Sequence, residues 1–148
     1  MASRALPRYE AAMTASDFVT GLAHIGIRVH DLARSRAFYE LLGFRFVVGP
    51  IGPEPVAILE HPSGVEINLV LNAAAPDEPN VLMDVPHKHA GYTHVALSVR
   101  DVAEAQRRLE AAGHALSGGP VTFPTGARAI FVRDPDRNVV ELNQSAPR

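Results

Sequence analysis

The chain has 148 residues, 47% of them hydrophobic, a formal net charge of −2 and no cysteine. The near-neutral charge provides no basic surface for nucleic acid, and the lack of cysteine excludes disulfides, thiolate catalysis and cysteine-ligated zinc. No apolar run approaches the roughly 18 residues of a membrane span, and Met1–Thr20 lacks the apolar core of a secretory signal. We therefore expect a cytoplasmic protein without nucleic-acid or membrane partners.

The first 20 residues mix charged, small and proline residues without a clear period, which is typical of an N-terminal extension. After them, polar and apolar residues alternate strictly from Leu22 to Val29. This alternation predicts a strand with one apolar face and one face that carries His24 and Arg28.

A helix is predicted directly after this strand. Asp31 is a typical helix N-cap, and apolar residues recur at helical spacing until Gly43, where a left-handed C-terminus is expected. Phe44–Val48 then reads as a short strand. Gly49 and Pro50 are expected to end that strand in a loop.

Two more strands complete a first module of order β-α-β-β-β. They are Val56–Glu60 and Val65–Leu71, and the residues between them have the composition of a hairpin turn. We assign residues 21–72 to this module. Residues 73–90, rich in Ala, Pro, Asp and Asn, are the predicted linker to the next module.

A second module, residues 91–144, repeats the same order. Asp101 and Glu104 form the pattern of a capping box at the start of its helix, and Gly113 is expected to end it. Its predicted strands are Thr93–Val99, a short strand near His114–Leu116, Ala127–Val132 and Asn138–Asn143.

The repetition is an internal duplication with a constant offset. Gly21–Asp31 and Gly91–Asp101 match at an offset of 70 residues, which relates His24 to His94. At the hairpin turns the offset becomes 73, so that Asn68 corresponds to Glu141. The sequence thus predicts an α+β fold of two paired βαβββ modules, each with an apolar sheet face and a face carrying His, Glu or Asn.

If the polar faces of the two modules meet, two imidazoles and one carboxylate converge. His24, His94 and Glu141 would form a two-histidine, one-carboxylate site, a set that binds divalent first-row metals and leaves positions open for substrate. Asn68 could add a weak oxygen ligand or a hydrogen bond. The alternative remains open that each histidine is an ordinary hydrogen-bonded residue and that Glu141 faces solvent.

These residues resemble the vicinal oxygen chelate superfamily, which includes glyoxalase I, methylmalonyl-CoA epimerase, extradiol dioxygenases and the bleomycin and fosfomycin resistance proteins. The resemblance is carried by four segments: Leu22–Val29, Phe38–Phe44, Gly91–Leu97 and Phe131–Leu142. It implies paired βαβββ modules that form an incomplete barrel around a metal, often completed as a homodimer.

The resemblance also implies roles for particular residues. Metal ligands would be His24, Asn68, His94 and Glu141, with Zn, Ni, Co, Mn or Fe as the divalent ion. Similarity to glyoxalase I makes Arg28 and Asn72 substrate-binding positions, although a surface ion pair is an equally good interpretation of Arg28.

Asn68 departs from the family, because glyoxalase I has Glu there and the epimerase has Gln. This leaves Glu141 as the single ligand carboxylate and the proton shuttle for isomerisation through a metal-bound enediolate. Glu66, two residues from Asn68 on the same face, is a possible substitute, or else a solvated charge.

Three functions remain open. The first is a glyoxalase I-like lyase or isomerase that acts on a small oxygen-bearing substrate. The second is an Fe(II) extradiol dioxygenase, which needs only three protein ligands and is therefore compatible with Asn68. The third is a metal-free drug-binding protein, which the intact set of His24, His94 and Glu141 disfavours.

Overall fold

The structure is a computed structural model that describes residues 15–74 and 76–148. The predicted extension lies mostly outside these ranges, and its described end contains the four-residue helix α1 (Ala15–Phe18). The first module contains β1 (Ile25–Arg28), α2 (Leu32–Leu41), β2 (Arg45–Ile51), β3 (Val56–Glu60) and β4 (Glu66–Val70). The second contains β5 (His94–Ser98), α3 (Val102–Ala111), β6 (Gly118–Thr122), β7 (Arg128–Arg133) and β8 (Val139–Gln144).

Each module forms one four-stranded mixed sheet. The strand orders are β1-β4-β3-β2 and β5-β8-β7-β6, in which β1 and β5 run parallel to their neighbours. No strand of one sheet pairs with the other within the described ranges, so no closed barrel forms. The predicted fold class is confirmed.

Strand register preserves the duplication residue by residue. Gly26 lies opposite Asn68 in the first sheet, and Ala96 lies opposite Glu141 in the second. The alternation of burial is also as predicted, since Ile67 and Leu69 are buried while Asn68 between them is partly exposed. We call the side that carries Gly26 and Asn68, or Ala96 and Glu141, the site face of each sheet.

The opposite faces of both sheets and the two long helices form one hydrophobic core. Its fully buried members include Phe38, Tyr39, Leu69, Val140 and Leu142. Burying such side chains stabilises the fold by about 1.5–3 kcal/mol each. The core therefore packs the two modules together and leaves both site faces outside it.

Both helices begin as predicted, at an aspartate N-cap. The Asp31 carboxylate accepts a hydrogen bond from the Arg34 N–H at 2.9 Å, and Asp101 accepts from Ala103 and Glu104. The reciprocal half of the predicted capping box does not form. The Glu104 carboxylate instead accepts from two arginines of α3.

Two predicted strands are wrong in extent or position. β2 does not end before Gly49 but continues to Ile51, because it is an edge strand in which the missing N–H of Pro50 is tolerated. In the second module, residues 114–116 are not a strand, and β6 lies at Gly118–Thr122. Its position is set by pairing with β7, which the Gly-Gly-Pro sequence does not reveal.

The hairpin turn between β7 and β8 docks on the start of α2. The Asp136 carboxylate accepts hydrogen bonds from the His30 N–H at 3.1 Å and from the Ser35 hydroxyl at 3.3 Å. The Arg34 guanidinium donates to the Pro135 carbonyl at 3.3 Å. We call these contacts of residues 134–138 with the first module the closed seam.

A buried tyrosine and aspartate lie at the centre of the closed seam. The Tyr39 hydroxyl donates to Asp134 Oδ2 at 2.9 Å, and Asp134 also accepts from the N–H groups of Asp136 and Asn138 and from the Asn138 amide. Burial raises the pKa of Asp134, although these hydrogen bonds oppose the shift. Burial and the nearby Asp134 carboxylate raise the pKa of Tyr39 well above its ordinary value.

Residues 73–90 contain no helix or strand among those described. The segment is nevertheless attached to the second module, because Asp84 pairs with Arg137 at 2.6 Å and with Arg133 at 3.3 Å. Across the described part of the chain, no helix has the length and apolar character needed to cross a membrane.

Candidate metal and substrate site

The site face of the second sheet carries a histidine and a carboxylate in direct contact. His94 Nε2 lies 2.8 Å from Glu141 Oε2, and the Glu141 side chain is only 9% exposed. The far oxygen of Glu141 accepts from the Asn143 amide at 2.8 Å, and the Thr93 hydroxyl lies 2.9 Å from His94 Nδ1. Each functional group is therefore oriented by a second hydrogen bond, as is typical of metal ligands and catalytic pairs.

Parallel pairing of β5 and β8 explains why these two residues meet. Ala96 is the direct neighbour of Glu141, and His94 begins the same strand two residues earlier on the same side. Ala96 is small, so its side chain leaves room for the imidazole and the carboxylate to approach each other. The Phe131 ring, opposite Glu141 on β7, packs edge-on against His94 with 6.1 Å between ring centroids.

The first sheet presents the matching positions without such a pair. His24 directly precedes β1 and is exposed, and Gly26, two residues later, lies opposite Asn68. Asn68 Oδ1 is buried and has no hydrogen-bond partner among residues 15–74 and 76–148. A buried acceptor without a partner costs about 1–3 kcal/mol, so a ligand or metal that reached this atom would recover part of that cost.

The four predicted ligands do not all converge within one chain. Among residues 15–74 and 76–148, no three His, Asp or Glu side chains are grouped so that they could hold a metal ion. His94 and Glu141 meet, whereas His24 and Asn68 lie on the other sheet. Both sets lie on the site faces, on the sides of the sheets that point away from the shared core.

The donor types nevertheless fit a divalent metal. Imidazole nitrogens together with carboxylate and amide oxygens suit Zn, Ni, Co, Mn or Fe. Asn68 Oδ1 is an oxygen atom that could bind a metal and that makes no hydrogen bond in the described part of the chain. The His94 and Glu141 side chains are already oriented by their hydrogen bonds to Thr93 and Asn143. Each sheet therefore carries one candidate half-site on its site face, which is His24 with Asn68 in the first sheet and His94 with Glu141 in the second.

Arg28 and Asn72, the predicted substrate-binding residues, lie together in the first module. Arg28 Nε donates to Asn72 Oδ1 at 2.9 Å, and both side chains donate to Glu54 Oε1, at 3.1 and 3.2 Å. The Asn72 amide and the Arg28 guanidinium hold the pKa of Glu54 below its usual value. The three side chains form a solvent-accessible cluster, so the surface ion pair considered for Arg28 is present.

Sequence reasoning missed Glu54. In the sequence, Glu54 is only an acidic residue in the proline-rich segment Gly52–Pro55. It comes near Arg28 because the segment leads into β3, which lies beside β4 in the same sheet. Glu66, the proposed substitute base, is partly buried beside Glu60 on the neighbouring strand and has no hydrogen bond to the other candidate residues.

Two duplicated βαβββ modules, each with a histidine at the start of its first strand, define the structural class of the chain. The model of the glyoxalase/bleomycin resistance protein/dioxygenase superfamily matches residues 21–142. The chain belongs to this superfamily.

Individual relatives support the same assignment. The chain is 31% identical to the glyoxalase domain-containing protein RDO1 of Mycosarcoma maydis, over 84% of this chain and 68% of that protein. It is 30% identical to lactoylglutathione lyase of Salmonella typhimurium, over 82% of this chain and 90% of the enzyme. The crystal structure of a glyoxalase/dioxygenase from Nostoc punctiforme shares the fold, with a TM-score of 0.72, 21% identity and coverage of 93% and 99% of the two chains.

Proposed function

We propose that this protein is a divalent-metal-dependent lyase or isomerase of the glyoxalase I type, acting on a small oxygen-bearing substrate. The observation that carries the proposal is the His94–Glu141 pair, in which an imidazole and a nearly buried carboxylate lie 2.8 Å apart. A glutamate held in this way without an arginine or lysine partner is uncommon in a structural role. The similarity to a lactoylglutathione lyase favours this reaction class.

The remaining ligands come from a second copy of the chain in this proposal. His24 and Asn68 of one chain would join His94 and Glu141 of the other, so that a symmetric homodimer holds two equivalent sites. This arrangement gives the unpartnered Asn68 Oδ1 a role. It also explains why two complementary half-sites occur on faces that do not meet within the chain.

Exposed apolar residues near both half-sites support contact with another chain. Leu22 and Tyr92, each two residues before a candidate histidine, are 79% and 95% exposed. Val48 lies in the same cross-strand row as Asn68, and Ile51 in the same row as Arg28. Exposed apolar groups that border a polar site are typical of a protein interface.

In this proposal, Glu141 transfers the proton, and Arg28 and Asn72 bind the substrate. Glu141 removes and returns a proton next to the substrate carbonyl, while the Asn143 amide holds its Oε1 in place. A bound divalent ion would polarise the carbonyl oxygen and acidify the neighbouring C–H. Arg28 and Asn72 bind a substrate carboxylate in exchange for Glu54, because a guanidinium can hold one carboxylate through two parallel hydrogen bonds.

Metal binding tests the ligand set directly. We expect stoichiometric metal in the supplemented wild-type protein, and a loss of metal affinity of at least about tenfold in His94→Ala and Glu141→Gln. His87→Ala, at an exposed histidine of the linker, is the matched control and should retain the metal. Absence of stoichiometric metal from the wild-type protein would contradict the proposal and favour metal-free drug binding.

Mixed dimers test whether the site is shared. His24→Ala and Glu141→Gln chains should each be inactive towards the hemithioacetal of methylglyoxal and glutathione, the first substrate to assay. A heterodimer of the two contains one site with both substitutions and one with neither, so it should have about half the activity of the wild-type dimer. If both variants are inactive alone and no activity returns on mixing, the shared site is wrong.

A dioxygenase is the second candidate, and the neutral Asn68 favours it. If Asn68 does not bind the metal, His24, His94 and Glu141 would hold Fe(II) and leave room for a diol and oxygen. Anaerobic reconstitution with Fe(II) followed by a catechol assay separates the two activities. Ring cleavage by the Fe(II) protein, without any hemithioacetal turnover, would replace the first proposal by the second.

A further inference from the structure

The duplication relates the closed seam to a second place in the molecule. The helices α2 and α3 match at an offset of 70 residues, and the two β-hairpin turns match at an offset of 73. The docking of residues 134–138 on α2 therefore has a counterpart, in which residues 61–65 of the first module face α3. This counterpart has different side chains at almost every position that forms the closed seam.

The side chains that hold the closed seam together are replaced by smaller or differently charged ones. In the counterpart, Ser63 stands for Asp136, Ala105 for Ser35, Leu109 for Tyr39, His61 for Asp134 and Arg100 for His30. The turn bonds to itself instead of to the helix, because His61 Nδ1 lies 2.7 Å from the Ser63 hydroxyl. No hydrogen bond or ion pair joins residues 61–65 to α3 among the described residues.

The result is a groove of about 1150 Å³ where the closed seam has direct contacts. It runs between α3, the unpaired edge of β5 and the turn of the first module. Its apolar lining includes Leu42, Phe44, Val65, Leu97 and Leu109. None of the four candidate metal ligands lines it, so the groove is distinct from the site proposed above.

The charged residues of the groove determine the charge of its ligand. Asp101 caps α3, and Glu104 pairs with Arg108 at 2.9 Å. Arg100 also lines the groove and has no hydrogen bond or ion pair within the described part of the chain. Arg100 is exposed, and it is the arginine along the groove that has no protein anion as a partner, as far as the chain is described.

We propose that this groove binds an amphipathic small-molecule carboxylate. Its carboxylate pairs with Arg100, and its hydrocarbon portion covers Leu42, Phe44 and Leu109. The closed seam supports the position of the charge, because there the Asp136 carboxylate accepts from the backbone N–H of His30, the residue that corresponds to Arg100. A ligand carboxylate would thus occupy the place that an aspartate of the protein occupies in the other half of the molecule.

Octanoate is a suitable probe, and octan-1-ol has the same chain without the charge. Titration of the 15N-labelled protein should give saturable shifts of amide signals from residues 61–65 and 96–109. Octan-1-ol should bind at least about tenfold more weakly, because it cannot form the charge-assisted hydrogen bonds with Arg100. If octanoate shifts only the amide signals of residues around His94 and Glu141, the proposal is wrong.

Substitutions at Arg100 and Ser63 test the mechanism of binding. Arg100→Gln should weaken octanoate binding at least about tenfold, whereas Arg107→Gln, an α3 arginine outside the groove, should leave it unchanged. Ser63→Asp rebuilds the carboxylate of the closed seam and should also abolish binding, because it competes for Arg100. Ser63→Asn has nearly the same size without the charge and should bind octanoate within about twofold of the wild type.

Several outcomes would refute this site. They are equal affinity of Arg100→Gln and the wild type, equal affinity of octan-1-ol and octanoate, and no saturable binding at all. If the same signals shift on concentrating the protein without octanoate, a second copy occupies the groove and the proposal is wrong. Because metal content does not enter these measurements, they can fail while the proposed enzymatic function stands.

Discussion

The closed seam and the groove occupy equivalent places in a duplicated chain, yet one is filled by protein side chains and the other is open. In the closed seam, Asp134 and Tyr39 form a buried hydrogen-bonded pair between the modules. At the groove, His61 and Leu109 occupy the corresponding positions, and the leucine side chain cannot form the hydrogen bond that Tyr39 makes. The comparison shows that a repeated backbone fixes where contacts can form, whereas a few side chains decide whether they join the modules or leave space.

The largest expected effect is the loss of the central carboxylate of the closed seam. Asp134→Ala removes the acceptor of four hydrogen bonds and leaves the buried Tyr39 hydroxyl without a partner. We expect the free energy of unfolding to fall by about 3 kcal/mol, measured by urea denaturation.

His61→Ala is the matched substitution at the groove. His61 contacts Ser63 and packs against Phe44, but it does not join the modules. Its loss should cost less than about 1 kcal/mol, the range of substitutions that remove no buried polar partner. Equal destabilisation by the two substitutions would show that the closed seam is no stronger than its open counterpart.

Burial of Tyr39 makes the closed seam sensitive to alkaline pH. Because its pKa is raised in the folded protein, the stabilisation is fully present below the pKa of the unfolded chain and is lost as the pH rises towards the folded value. The unfolded value is about 10, so stability should fall as the pH rises above it.

Tyr39→Phe should remove this part of the alkaline loss, while lowering stability at neutral pH by about 1 kcal/mol through loss of the hydrogen bond. Tyr92→Phe is the control, since Tyr92 is almost fully exposed and has no described hydrogen bond. Unfolding free energies between pH 8 and 11 would check both variants. An identical alkaline slope in Tyr39→Phe and the wild type would exclude Tyr39 as its source.

Much of the fold could be predicted from the sequence, because its local patterns agree with the structure. Strict alternation fixed which face of β1 and β4 is apolar, and the offset of 73 placed Asn68 and Glu141 at equivalent positions. Both aspartate N-caps are confirmed for the same reason, since a cap depends on neighbouring residues alone. The edge strands β2 and β6 were predicted poorly because glycine and proline conceal a pairing that only the adjacent strand determines.

Less of the site could be predicted, because it depends on how the modules pack. The contact of His94 with Glu141 follows from parallel pairing within one module. The convergence of His24 with them requires the site faces to meet, and the apolar pattern does not reveal whether they meet within one chain or between two. The convergence of His24 with His94 and Glu141 stays a prediction, and in our proposal it takes place between the two chains of a dimer. Glu54 was missed because a loop acid shows its partner only in three dimensions.

The smallest expected effect concerns the two hairpin turns. Gly64 and Arg137 occupy equivalent positions and both have left-handed backbone angles, with φ of 95° and 64°. This conformation costs a residue with a side chain about 1 kcal/mol, so Arg137 stores strain that Gly64 does not. Arg137 compensates by donating two hydrogen bonds to Asp84, at 2.6 and 2.8 Å, which attaches the linker to the second module.

The two contributions can be separated by changing both partners. Arg137→Gly alone removes the strain and the ion pair together, so the free energy of unfolding should change by less than about 1 kcal/mol. In an Asp84→Asn background the ion pair is already lost, and Arg137→Gly should then stabilise the protein by about 1 kcal/mol. Gly64→Ala should destabilise it by a similar amount, since it introduces strain without a compensating partner. If Arg137→Gly destabilises both backgrounds equally, the Arg137–Asp84 pair does not offset the backbone strain at Arg137.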